Sequence, residues 1–279
     1  LRQSQHLVAV HAEDEAIILQ NYHRITEKEQ LSIEAHPRIR NAQGCYQASE
    51  LITGMAREYQ ARLHILHLTT ADEVPLFDSA YPPEEKLITT EACVHHLWFN
   101  SADYTRWGNK LKCFPAIKAE PQRQALLEGL QQGAIDQIAS DHAPHALVEK
   151  QRGYAEAPGG IPMIQHNLPA MLAFYHQGLL SLTQIAEKMA HNPAKTYRVK
   201  ERGFIKEGYK ADCVLVDPEQ PLRVDASTLQ SKARWSPFDG TTFPGSVTHT
   251  FVNGQLAYHK GLLLDKPATE PLSFHNRKP

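Results

Sequence analysis

The 279 residues suffice for one large domain, or for a domain with an appendage. Hydrophobic residues at 42% and charged residues at 22% are the balance of an ordinary globular chain. A net charge of −2 removes the electrostatic case for nucleic acid or an anionic membrane surface, and no apolar run approaches the roughly 20 residues of a membrane span.

In chain order, LVAVHAED reads as a short buried strand ending on His11, and the spacing predicts a helix over 14–29 with Glu13 and Asp14 as its cap. EAHPRIR, with His36 and Arg38, reads as loop. A second helix is expected over 45–61. LHILHLTT is a strand ending on His67, KLITTEA a strand ending near Glu91, and LKCFPAIK a further strand-like run carrying Phe114 and Lys118. Pro121 opens a predicted helix over 121–132, where Leu126, Leu127 and Leu130 share a side. AIDQIASDHAPH is a strand ending on Asp141. The loop APGGIP (157–162) leads into apolar helical segments near 163–176 and 182–190, and HNPAK reads as an Asn N-cap followed by Pro. From about residue 197 the texture changes. GFIKEGYKADCVLVDP suggests two short strands around a turn, and Asn253-Gly254 marks a hairpin.

Strand–helix alternation with a polar residue at each strand's C-terminal end predicts an α/β fold: the C-terminal part of a (β/α)8 TIM-type barrel over 1–196, with a small β-rich domain over 197–279. No Gly-rich phosphate loop supports a doubly wound sheet. Cys45, Cys93, Cys113 and Cys213 are dispersed without a CxxC pair, and read as reduced thiols of a cytoplasmic protein.

His11, His67 and Asp141 each stand where a strand gives way to a loop, so a barrel would gather them on one face. Two imidazoles and a carboxylate suit a divalent ion such as zinc, which activates water at neutral pH, and a carboxylate beside it can carry the proton. His95 and His96 read instead as helix packing or as hydrogen-bond support.

VHAEDE, HILHLTT, TTEACVHHL, LKCFPAIK, GAIDQIASDHAPH, APGGIP, NPAK and FIKEGYKADCVLVD occur in this order, and together they resemble the dihydroorotases of the amidohydrolase superfamily. The likeness spans nearly the whole chain, and SDHAPH is its most specific motif. It implies a zinc-dependent hydrolase of a cyclic amide C–N bond that interconverts N-carbamoyl-L-aspartate and L-dihydroorotate in pyrimidine biosynthesis. It implies metal ligation by His11, His67 and Asp141, proton transfer by Asp141, and substrate binding by His145, Gly159 and Gly160. Two zinc ions per complete site are implied, one or both with an incomplete ligand set over this span, because no H-x-H triplet occurs in the sequence. Matched to the family, the chain begins near the fifth barrel strand and reads as N-terminally truncated. A homodimer and association with aspartate transcarbamoylase are compatible with the likeness. Phe114 stands where the family usually has Asn. That departure keeps a second reading open, a hydantoinase, dihydropyrimidinase or allantoinase relative. The missing H-x-H keeps a third, a non-catalytic dihydroorotase-like subunit.

Overall fold

The computed structural model describes residues 6–25, 32–264 and 269–275. By contact the chain divides into two compact units: 1–165 with 229–239, and 166–228 with 240–279.

The first unit is organised by four parallel strands in the order β1 (Val8–Val10), β2 (Leu63–Ile65), β3 (Ile88–Cys93), β4 (Gln137–Ala139). Val8 pairs with Leu63, Leu63 with Ile88, and Glu91 with Gln137. Every residue of β2 and β3 is buried, as expected of strands covered on both faces. Parallel neighbours need crossovers. The helix Ala42–Glu58 supplies one, starting three residues before its expected position because the Asn41 side chain accepts from Gly44 N at 3.0 Å. Glu120–Gln132 supplies another. Leu126, Leu127 and Leu130 are buried on it, and Gly133, at φ +88°, ends it.

The first helix, Glu15–Arg24, is capped by Asp14, whose carboxylate accepts from Ile17 N at 2.9 Å. The rest of the expected span, 26–29, lies outside the described residues. LKCFPAIK is not a strand. Gly108–Leu111 is a 3-10 turn, the chain then runs irregularly through a cis Phe114–Pro115 bond, and a buried Lys118 donates to Thr69 Oγ1 at 2.9 Å.

Lys86 and Asp136, both buried, lock β3 to β4. Lys86 Nζ lies 2.7 Å from one Asp136 oxygen, and the other accepts from Thr90 N at 2.9 Å. Asp136 N in turn donates to Thr90 O at 3.0 Å.

The second unit holds the helix Asn167–His176, a run from Leu182 to Thr196, and an antiparallel sheet in the order β10 (Leu262–Leu263), β9 (Gln255–His259), β8 (Ser246–Val252), β5 (Cys213–Asp217). A short pair, β6 (Leu222–Arg223) and β7 (Thr242–Phe243), lies beside it in the chain. The Asn253-Gly254 hairpin is present, with φ of +49° and +81° at its two turn residues. Two expectations fail locally. Of the GFIKEGYKADCVLVDP run only Cys213–Asp217 is a strand. Asn192 is not an N-cap: it is helical itself, at φ −67°, because the π-helical segment Glu187–His191 runs straight into it.

Candidate active site

Parallel strands present their C-terminal ends on one side, and the chain leaves β1 at His11 and β2 toward His67. Leu66 N donates to Val10 O and Leu68 N to Glu91 O, at 3.0 and 2.8 Å. The backbone thus switches from one neighbouring strand to the other across His67, which takes a left-handed φ of +39°. His11 Nδ1 and His67 Nε2 meet at 2.9 Å with their rings nearly perpendicular.

Glu13 sets the proton on this pair. Its Oε2 lies 3.1 Å from His11 Nε2 and 2.6 Å from Arg40 Nη1. A carboxylate at Nε2 fixes the Nε2–H tautomer and leaves the His11 Nδ1 lone pair directed at His67. Burial, the largest influence on Glu13, pushes its carboxyl up. The hydrogen bond from His11 and the charge of Arg40 outweigh it, and the net shift is downward. So Glu13 is not part of the helix cap. Its role was hidden because Arg40 lies 27 positions away in the chain. His67 is driven down to about 4, by burial first and by His11 second, so its imidazole is neutral at pH 7.

This pair fits a metal. His67 Nε2 and His11 Nδ1 face each other at 2.9 Å and share one proton where a cation would sit. Two Zn–N bonds of about 2.1 Å at a tetrahedral angle place the nitrogens roughly 3.4 Å apart, so the rings need open by only about half an ångström.

Asp141 follows β4 in a left-handed conformation, φ +41°. The residue is exposed, but partial desolvation on its inner side raises its carboxyl pKa, Glu91 raises it further, and His11 opposes both. The structure brings His11 and His67 together. Asp141 does not join them in a three-ligand group of the kind that Cys93, His95 and His96 form, with donor atoms all within 4.8 Å of one another.

Beside this end of the sheet lies a polar network that the sequence did not reveal. Glu91 Oε2 is 3.1 Å from His64 Nε2 and accepts from Gln137 Nε2 at 3.0 Å, while His64 Nδ1 meets Thr89 Oγ1 at 2.8 Å. Burial raises the Glu91 carboxyl, but His64 reverses this and holds it down. β2 contributes His64, β3 Thr89 and Glu91, and β4 Gln137, so only the register could show this cluster.

The DHAPH loop is pinned to the glycine loop. Ala143 N donates to Ile161 O at 3.1 Å, and His142 Nδ1 accepts from Met163 N at 3.0 Å. His145 is half-buried, with Nδ1 3.8 Å from Glu149 Oε2, and its carbonyl accepts from Trp235 Nε1 at 2.8 Å. Buried Lys150 donates to Lys112 O, Pro158 O and Gly160 O, and Lys112 donates to Tyr154 O and Ala157 O. Burial lowers the Lys150 pKa to about 8. His36 ties the same region together through Tyr154 OH and Cys113 O, each at 2.9 Å.

Both glycines are required by space. A Cβ on Gly160, at φ +134°, would stand 2.6 Å from Ala143 Cβ and 3.0 Å from His145 Cδ2. A Cβ on Gly159 would stand 2.6 Å from the Phe114 ring, over which Arg40 lies at 4.1 Å. Gly159→Ala is expected to cost about 1–3 kcal/mol in urea unfolding. Phe114→Ala should recover about 1 kcal/mol of that in the double variant, and simple additivity would show that the two do not touch.

The sequence matches the model described as Amidohydrolase family over residues 6–257. The chain belongs to the amidohydrolase family. Its relatives include a dihydroorotase of Methanosarcina acetivorans, 32% identical over 276 residues, covering 94% of this chain and 57% of that protein. Another is a dihydroorotase of Clostridioides difficile, 38% identical over 173 residues, covering 62% of this chain and 40% of that one. Among solved structures, an L-hydantoinase (dihydropyrimidinase) from Arthrobacter aurescens is similar with a TM-score of 0.86 at 28% identity, covering 92% of this chain and 58% of that one. A D-hydantoinase from a Thermus species shares the fold, with a TM-score of 0.84 at 18% identity. The chain thus spans less than two thirds of the length of these amidohydrolases. Its four parallel strands are the C-terminal part of a TIM-type amidohydrolase barrel, and the antiparallel sheet is its β-rich appendage.

Proposed function

We propose that the complete protein is a metal-dependent dihydroorotase, acting in pyrimidine biosynthesis on L-dihydroorotate and N-carbamoyl-L-aspartate. The contact of His11 with His67 at adjacent strand ends, oriented by Glu13, carries this reading. The dihydroorotases that match 94% and 84% of the chain favour the substrate. His11 and His67 are the ligands of one metal on this chain and Asp141 is a ligand of the other, and zinc suits their nitrogen and oxygen donors. When bound, the metal polarises the scissile carbonyl and makes water nucleophilic at neutral pH.

The protein's own residues do the rest. Asp141 accepts the proton of the attacking water and delivers it to the departing ring nitrogen. Its raised pKa brings it closer to the operating pH, where proton transfer is most efficient. His145 faces the substrate carboxylate, and the backbone of Gly159 and Gly160 holds the ring. The same reading keeps residues 1–196 as the barrel part and 197–279 as the β-rich domain. In its support, the parallel strands all precede residue 140 and the antiparallel ones all follow 212. It places the protein in the cytoplasm, with a second copy or aspartate transcarbamoylase as candidate partners.

Phe114 and the L-hydantoinase likeness favour a second reading, a cyclic amidase without selection for a carboxylate. Turnover of dihydroorotate, dihydrouracil and hydantoin by the complete protein separates the two. Preference for dihydroorotate, lost in His145→Ala, is the expected result. Preference for hydantoin or dihydrouracil, insensitive to that change, would establish the second reading instead.

A further inference from the structure

The helix Val94–Trp98 follows directly from β3, and their junction holds three potential metal donors in the interior: Cys93, the last residue of the strand, and His95 and His96 on the helix. All three are buried, with at most 3% exposure, and one donor atom from each lies within 4.8 Å of the others. The two rings are 4.1 Å apart. His95 has no hydrogen-bond partner at either nitrogen. His96 meets Pro115 O through Nε2 at 3.1 Å and has none at Nδ1. None of these side chains has a role in the reaction proposed above.

Packing alone does not account for this group. Buried polar atoms are almost always paired, and three orphaned imidazole nitrogens beside one thiol are an exception that calls for a ligand. Burial drives the His95 pKa down to about 3, keeps His96 well below its usual range and raises Cys93 well above its own. The site therefore offers neutral imidazoles with open lone pairs, and a thiol that only a cation would ionise. The Pro115 carbonyl accepts from His96 Nε2–H, which leaves the lone pair on Nδ1. This is the outer hydrogen bond that metal-ligating histidines make. Cys113 Sγ donates to Pro115 O at 3.2 Å and stands 3.8 Å from His96 Nε2, the nitrogen that is not offered to the ion.

We propose that Cys93, His95 and His96 bind one divalent cation of borderline softness, zinc above all, in an NNS site distinct from the His11–His67 pair. Nitrogen and sulfur donors select zinc over magnesium or calcium, which require oxygen. Binding ionises the Cys93 thiol and releases its proton to solvent, so the charge added to the interior is +1. Three protein donors leave the ion one position for an exchangeable ligand.

The test uses the complete protein expressed in minimal medium with cobalt in place of zinc. Thiolate ligation gives cobalt(II) a sulfur-to-metal charge-transfer band in the near ultraviolet. The ligands proposed for catalysis contain no sulfur and cannot produce it. The band is expected in the unaltered protein, retained in His11→Ala and lost in Cys93→Ser. Its absence from the unaltered cobalt protein overturns the proposal, as does its survival in Cys93→Ser. X-ray absorption at the zinc edge of the unaltered protein checks the same point without any variant. A sulfur neighbour at about 2.3 Å supports the site, and a shell of nitrogen and oxygen alone overturns it. A thiolate band in a protein that fails to turn over dihydroorotate would remove the proposed function and leave this site standing.

Discussion

Asp141→Asn in the complete protein is expected to lower turnover of dihydroorotate by about 10²- to 10⁴-fold, the usual range for removing a proton-transferring group. The substitution isolates chemistry from folding. Asp141 sits at φ +41°, and Asn is, with Asp, among the side chains that best tolerate this left-handed conformation. The amide has the shape of the carboxyl and cannot take a proton. The thermal midpoint should therefore stay close to that of the parent while kcat falls. In the parent, the rate should fall as the pH drops through the raised Asp141 pKa, because only the ionised carboxylate can act as base. Undiminished turnover in Asp141→Asn would remove Asp141 from the proton path.

Lys86→Met carries the largest expected effect on stability. Lys86 and Asp136 are 2.7 Å apart, with side chains only 2% exposed. Methionine fills the space of the lysine stem but leaves Asp136 as a buried carboxylate without its counter-charge. Breaking such a pair costs about 3–5 kcal/mol, and denaturant unfolding would read it as a lower midpoint at unchanged slope. Part of the cost should return in Lys86→Met/Asp136→Asn, which removes the stranded charge while keeping an acceptor for Thr90 N. A loss below about 1 kcal/mol in the single variant would mean that the pair is solvated. Because Asp136 precedes β4 and its carboxylate anchors Thr90 in β3, the same change should disturb the approach of Asp141 to the site.

The structural neighbours bear out the sequence reading of a partial amidohydrolase barrel with a β-rich appendage, and the family match bears out the resemblance. These were legible because strand identity is a local property. VAV, LHI and ITTEAC are short runs rich in apolar or β-branched residues, with His11 directly after the first and His67 two positions after the second, and Asn253-Gly254 carries its turn chemistry in two residues. The helix Glu120–Gln132 was legible for the same reason, from Pro121 and the leucine spacing. Where local signals competed, the reading failed. LKCFPAIK has the composition of a strand, but the chain there is fastened by side chains far away in sequence, Lys150 and His36 among them.

By itself, the sequence determined most of the elements and their order, and that His11, His67 and Asp141 stand at or just beyond strand ends. Those follow from periodicity and turn chemistry within a few residues. Only the tertiary structure decided how those side chains meet. Glu13 became the partner of His11 rather than a helix cap because Arg40 folds against it. Glu91, His64 and Gln137 became one network because three strands align in register. Cys93, His95 and His96 became a group because the chain turns inward at the end of β3. Hydrogen bonds and ligand clusters join residues that are close in space at any separation along the chain, and spacing in sequence carries no record of that closeness.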